Sequence, residues 1–163
     1  PVRLDAVLDD VLDDLAPVVA SRSALVRRDP LPEVVGDATQ LYTVLQNLVS
    51  NALKFTPPGR VPEVRVGAEA DESAGAPGPD GADGAGWRIT VTDNGRGVPA
   101  GDRERLFALH ARGDRSVQGS GIGLATARRA VEAHGGSIGI DDAPGGGTTV
   151  WFTLPPRSPS TSR

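Results

Sequence analysis

Leu41, Leu45, Leu48 and Ala52 recur at helical spacing, with Val44 and Val49 beside them, and predict an amphipathic helix. Asp37 stands where an N-cap belongs, and Pro57-Pro58-Gly59 ends the pattern. Asn47, Asn51 and Lys54 fall at i, i+4 and i+7, so they form a second stripe on the same helix. One face is built for a core; the other carries two amides and a cation. Amide oxygens suit Mg²⁺ and an ammonium suits phosphate. Taken alone, the stripe reads first as a solvated face that happens to carry Asn.

Upstream, Leu4, Leu8, Val11, Leu12, Leu15, Val18 and Val19 predict another amphipathic helix. Asp5, Asp9, Asp10, Asp13 and Asp14 make its solvated side, and Pro17 predicts a kink or an early end. Leu25 to Arg28 reads as a short strand, and Asp29-Pro30-Leu31-Pro32 as a loop. Val64, Val66 and Ala68 alternate with polar neighbours, as in a strand. Residues 70–86 lack apolar periodicity and are expected to form a long mobile loop between two strands. Trp87, Ile89, Val91 and Asp93 share one face of the next strand, with Asp93 at its exit.

Asp102 to His110 has a helical pattern, with Arg103 and Arg105 exposed and Leu106, Phe107 and Leu109 available for packing. A further helix runs from Gly121 to His134, with Leu124, Ala127 and Val131 inward. Ser137 to Asp141 and Thr148 to Leu154 read as the last strands, joined by a turn at Pro144 to Gly147. Residues 156–163 form a polar tail.

A length of 163 residues suits one domain, and an aromatic content of 4% requires a core of Val, Leu, Ile and Ala. The net charge of −4 argues against a general nucleic-acid or membrane-surface binder. Without cysteine there is no disulfide framework, thiolate metal site or catalytic thiol. No apolar run approaches membrane-spanning length, and no signal peptide is visible. The chain opens at Pro1 rather than Met, which reads as part of something longer.

Three glycine-rich blocks carry the remaining chemistry. In Asp93-Asn94-Gly95-Arg96-Gly97, an ionised carboxylate only accepts hydrogen bonds, and glycines allow close approach of the backbone. In isolation that block is a common strand-end turn. Gly119-Ser120-Gly121-Ile122-Gly123-Leu124 opens a helix, whose free N–H groups attract anions. It is not a P-loop, because the only lysine is Lys54, and GxGxG is not the dinucleotide pattern GxGxxG. Gly145-Gly146-Gly147-Thr148 is expected to shape a turn near phosphates rather than bind them directly.

The helix from Asp37 and these three blocks, in this order, resemble the N, G1, G2 and G3 boxes of the ATP-binding domain of sensor histidine kinases. That family shares its nucleotide fold with type II topoisomerases, mismatch-repair ATPases and ATP-driven heat-shock chaperones. The resemblance runs from about Leu4 to Pro155. It implies a two-layer α/β sandwich, a mixed β-sheet with helices packed on one face (the Bergerat ATP-binding fold). The catalytic and ATP-binding domain would be residues 1–155, with a mobile ATP lid at about 111–120.

By the same resemblance the ligands are ATP and Mg²⁺. Asn47 and Asn51 would hold the metal, Lys54 and Arg112 the phosphates, and Asp93 the adenine amino group. Asn51, Lys54 and Arg112 would stand closest to the reaction. Phe55, Gly95, Gly97, Gly119, Gly121, Ile122, Gly123, Leu124 and Thr148 would complete the nucleotide contacts. Arg115 in the lid reaches the phosphates or remains a solvated charge. The family's F box has Phe107 here, but His110 replaces its usual second Phe.

Neither histidine resembles the phosphorylated one, which is typically followed by Glu or Asp; His110 precedes Ala and His134 precedes Gly. His134 lies in a last helical turn, where a cation is favoured, and reads as structural. The implied activity is transfer of the γ-phosphoryl of ATP to a His on a separate dimerisation domain of the same protein. A response-regulator receiver domain would take it onward. The parent would be a homodimer, with this domain in the cytoplasm. A hydrolytic ATPase of the superfamily usually carries a water-activating Glu where this chain has Asn47, an amide that cannot take a proton. A nucleotide-sensing module without catalysis and a protein serine kinase remain alternatives.

Overall fold

The computed structural model describes residues 1–71, 86–107 and 120–155. Its elements are β1 (Val2–Arg3), α1 (Leu4–Arg22), β2 (Leu25–Arg28), β3 (Glu33–Val34), α2 (Ala38–Lys54), β4 (Glu63–Asp71) and β5 (Gly86–Asp93). A 3₁₀ turn at Ala100–Asp102 leads into α3 (Arg103–Phe107), and α4 (Ser120–Ala133), β6 (Ile138–Asp142) and β7 (Thr148–Leu154) complete the described chain. A five-stranded sheet has the order β2-β4-β5-β7-β6. β2 runs parallel to β4, and the other pairings are antiparallel. The fold is therefore the expected mixed-sheet α/β sandwich.

Alternation decides which sheet face takes the helices. Val64, Val66, Ile89, Val91, Val150, Phe152 and Leu154 are all buried, and they meet α1, α2 and α4 in one core. Leu41, Leu45 and Leu48 of α2 are at most 1% exposed, so burial of each contributes about 1.5–3 kcal/mol. On the opposite face Trp151 lies across Gly139, where a Cβ would come within 2.3 Å of the ring. The guanidinium of Arg88 stacks on that ring, 4.3 Å from its centroid.

Several expectations change. α1 does not end at Pro17 but continues to Arg22, because Pro17 is exposed and water can satisfy the carbonyl that its ring leaves unpaired. The Asp stripe is only partly solvated: Asp5 and Asp9 pair with Arg28, and Asp14 accepts from the Tyr42 hydroxyl. Arg103 is not simply exposed. It donates to the carbonyls of Val98 and Ile140 and pairs with Asp142 at 2.6 Å, fixing α3 on β6. β4 reaches Asp71 and β5 starts at Gly86, so the ends of the expected loop at 70–86 are strand, held by eight register pairs. The two-residue ladder of β1 and β3 carries no alternation and escapes the sequence.

Candidate nucleotide site

The site follows from how α2 is held. The Asp37 side chain accepts the N–H of Gln40 at 3.0 Å, capping the helix as its position predicted. The amphipathic pattern then turns Leu41, Leu45 and Leu48 into the core and fixes the angle of the polar stripe. Asn51 is 3% exposed, and its Nδ2 has no hydrogen-bond partner among the described residues. A buried unpaired amide costs about 1–3 kcal/mol, which a bound ligand would relieve. Asn47 is half-buried beside α4, and its Oδ1 would lie 3.3 Å from a Cβ at Gly123. Lys54 ends α2, exposed.

Phe55, one turn beyond Asn51, is buried and donates its N–H to the Asn51 carbonyl. Its own carbonyl leads to the next block: a Cβ at Gly95 would lie 2.7 Å from Phe55 O. No other residue fits there. Gly95 donates its N–H to Asp93 Oδ1 at 2.8 Å, and Asp93 is 3% exposed at the exit of β5. Burial pushes the Asp93 carboxyl above its ordinary value, while the backbone N–H groups of Gly95 and Thr148 pull it back. Asp93 is the register partner of Thr148 on β7, whose buried hydroxyl also lacks a partner among the described residues.

The Gly145–Thr148 turn is located by its close contacts. At Gly147, with φ +97, a Cβ would lie 2.0 Å from Asp93 O and 3.0 Å from Asn94 Cα. The turn thus abuts the Asp93 end of the site. Gly97, at φ +78, faces Gly147 O across the same junction.

These residues form a continuous row: Gly123, Asn47, Asn51, Lys54 and Phe55, Gly95, Asp93, Thr148. From Asn47 to Phe55 along α2 the row runs about 12 Å, enough for an extended ligand. Anion-seeking helix N–H groups open α4 at Ser120, ahead of the Gly123 that packs on Asn47, and a buried carboxylate stands at the other end. Gly121 lies in the first turn of α4. Ile122 and Gly123 continue it, and Leu124 is fully buried, so its side chain anchors the helix start in the core. Arg112, Arg115, Gly119, His110, the expected lid up to residue 119 and the tail at 156–163 lie outside the described residues.

Three positions that hold the row together escaped the sequence. Arg22 of α1 donates to the carbonyls of Leu53, Thr56 and Pro57, closing the C-terminal end of α2. Arg60 donates to Asn94 O and Gly95 O, and the Asn94 side chain bonds Val61 O and the N–H of Glu63. Arg128 joins α4 to α3 through Glu104 and lies 5.6 Å from the centroid of Phe107. No sequence period marks an arginine bound to distant carbonyls. His134 is structural, as expected, but its charge differs. Its Nε2 accepts the N–H of Asp37, so the imidazole is neutral.

Among the described residues no group of three His, Cys, Asp or Glu stands ready for a metal, and no helix is long and apolar enough to cross a membrane. The amide oxygens of Asn47 and Asn51 fit Mg²⁺, which keeps waters and takes few protein ligands when phosphates supply the rest.

The family model described as histidine kinase-, DNA gyrase B- and HSP90-like ATPase matches residues 36–158. Sensor histidine kinase GacS of Pseudomonas protegens is 35% identical over 162 residues, covering 94% of this chain and 17% of that protein. Full-length ShkA, solved in complex with AMPPNP, matches with a TM-score of 0.75 and 28% identity, over 98% of this chain and 31% of that one. The mycobacterial sensor histidine kinase MprB matches with a TM-score of 0.71 and 30% identity, over 97% of both chains. The chain spans about a fifth of the length of the curated relatives that it matches first. With its four sequence blocks gathered into one row on the expected fold, the chain belongs to the family of histidine kinase-, DNA gyrase B- and HSP90-like ATPases.

Proposed function

We propose that this chain is the catalytic and ATP-binding domain of a sensor histidine kinase, which presents the γ-phosphoryl of ATP to a His on a separate dimerisation domain. The observation that carries the reading is the row itself, with the buried carboxylate of Asp93 at one end, the buried amide of Asn51 in its middle with Nδ2 unpartnered among the described residues, and Asn47 against Gly123 of α4 at the other end. Asp93 accepts the amino group of adenine, and Phe55, Gly95 and Gly97 bring backbone against the base. Thr148 adds its unpaired hydroxyl at that end. The N–H groups at Gly121, Ile122 and Gly123 receive phosphate oxygens, and Gly119 and Arg112 belong to the same end by sequence.

Lys54 adds a positive charge, and Asn47 and Asn51 hold Mg²⁺. The metal neutralises charge on the transferring group; the chain's own work is positioning, and the transfer demands no general base from it. An acceptor His on a dimerisation domain and a receiver domain of a response regulator are the partners. A parent homodimer in the cytoplasm, soluble or membrane-anchored, fits them.

The test mixes this chain with the dimerisation domain of its parent and labelled ATP. Transfer in trans is expected, slowly, because the tether that raises effective concentration is absent. The product should be labile to acid and stable to alkali, as a phosphohistidine is. Rapid multiple-turnover hydrolysis by the chain alone would favour the hydrolytic ATPases instead. An acid-stable label on Ser would favour the serine kinases.

A further inference from the structure

The far ends of α2 and α4 are joined by a contact that touches no nucleotide. His134 follows the last residue of α4. Its Nδ1 lies 2.6 Å from the carbonyl of Ala130, which can only accept, so Nδ1 carries the proton. Nε2 is then a lone pair, and it accepts the backbone N–H of Asp37 at 3.0 Å. Asp37 is the N-cap of α2. One neutral imidazole therefore bonds the end of one helix and the start of the other.

The fit at this junction is close. A Cβ at Gly36 would lie 2.7 Å from His134 Nε2 and 2.8 Å from Cδ2, so the ring reaches Asp37 only because residue 36 has no side chain. At the other end of α4, Gly123 packs on Asn47. Between the two ends lie Leu124, Ala127 and Val131, all fully buried. Apolar packing is non-directional and tolerates a slide or rotation better than a hydrogen bond does. The helix is about 20 Å long, so a small tilt at His134 becomes a displacement at Ser120.

We propose that His134 is a positioning residue of the nucleotide site. By tying Ala130 to the N–H of Asp37 it fixes the register of α4 on α2, and with it the aim of the α4 N–H groups at the end where Gly123 meets Asn47. The proposal rests on the nucleotide reading above.

The test is calorimetric titration of the chain with Mg²⁺ and AMPPNP, with melting temperatures alongside. Glutamine places an amide oxygen near the Nε2 position and keeps the bond to Asp37. Asparagine reaches only the Nδ1 position and keeps the bond to Ala130. His134→Gln should bind nearly as the wild type does. His134→Asn and His134→Ala should bind about tenfold more weakly, within the ~10²-fold that a 1 Å misplacement can cost.

Gln and Asn each give up one hydrogen bond, so their melting temperatures should be similar while their affinities differ. Gly36→Ala should weaken binding in the wild-type background and add nothing to His134→Ala, since both act on one contact. Equal losses for Gln and Asn, unchanged binding in every variant, or additive effects of Gly36→Ala and His134→Ala would overturn the proposal. Failure of the wild type to bind at all would instead overturn the nucleotide reading.

Discussion

Asp93→Asn exchanges one oxygen for an amino group at a buried polar position of the site. Asn retains an oxygen to accept the N–H of Gly95, which Asp93 holds at 2.8 Å, so the turn is preserved. Its NH₂ group, however, takes the place of the second carboxylate oxygen and meets the amino group of adenine donor to donor. The lost charge-assisted bond contributes about 1.5–3 kcal/mol. At 1.4 kcal/mol per tenfold, ATP should bind roughly ten- to a hundred-fold more weakly. Guanine presents an acceptor oxygen at the same place, so GTP should gain where ATP loses. Calorimetric titration with both nucleotides measures this. Equal losses for ATP and GTP, or an unchanged affinity for ATP, would refute the placement of the base.

The same variant has a signature without ligand. The folded-state pKa of Asp93 is raised by burial, so the native state holds the proton more tightly than the unfolded chain does. Stability therefore falls as pH rises from the ordinary carboxylate value through the raised one, and it is recovered on acidification. Denaturant melts at stepped pH should show this component in the wild type and lack it in Asp93→Asn.

Asn51→Ala should abolish phosphotransfer while leaving the melting temperature unchanged or raised, since Nδ2 has no partner to lose; thermal melts and the transfer assay check both halves. Arg22→Ala removes the donors to Leu53 O and Thr56 O, a loss of about 1.5–3 kcal/mol, or several degrees in melting temperature. Gly147→Ala must place a Cβ 2.0 Å from Asp93 O at a positive φ, so it should cost at least about 1–3 kcal/mol in denaturant melts and weaken ATP as well.

Legibility followed the physics of each element. α2 was readable because its apolar period, N-cap and terminating prolines agree, and β5 because its alternation runs from Trp87 to Asp93. Pro17 misled because sequence alone does not say that its side of α1 faces water. The contacts of the Gly145–Thr148 turn with Asp93 and Asn94 could not be read from the sequence, because they are a neighbour relation set by strand order rather than by residue type. Arg22, Arg60 and His134 were opaque as site supports because their partners are backbone groups far away in the chain. A side chain that bonds a carbonyl leaves no trace in the identity of the residue that supplies it.

The pairing of Asp93 with Thr148 carries one more consequence. These two residues belong to the central ladder of the sheet, and Asn51 belongs to a helix packed across it. No fragment of the domain could open and still keep both ends of the row. Nucleotide should therefore act on the whole cooperative unit rather than on a local flap. At a hundred times its dissociation constant it should raise the unfolding free energy by about 2.7 kcal/mol. Amides deep in β5 and β7 should then slow their exchange by the same factor as those of α2.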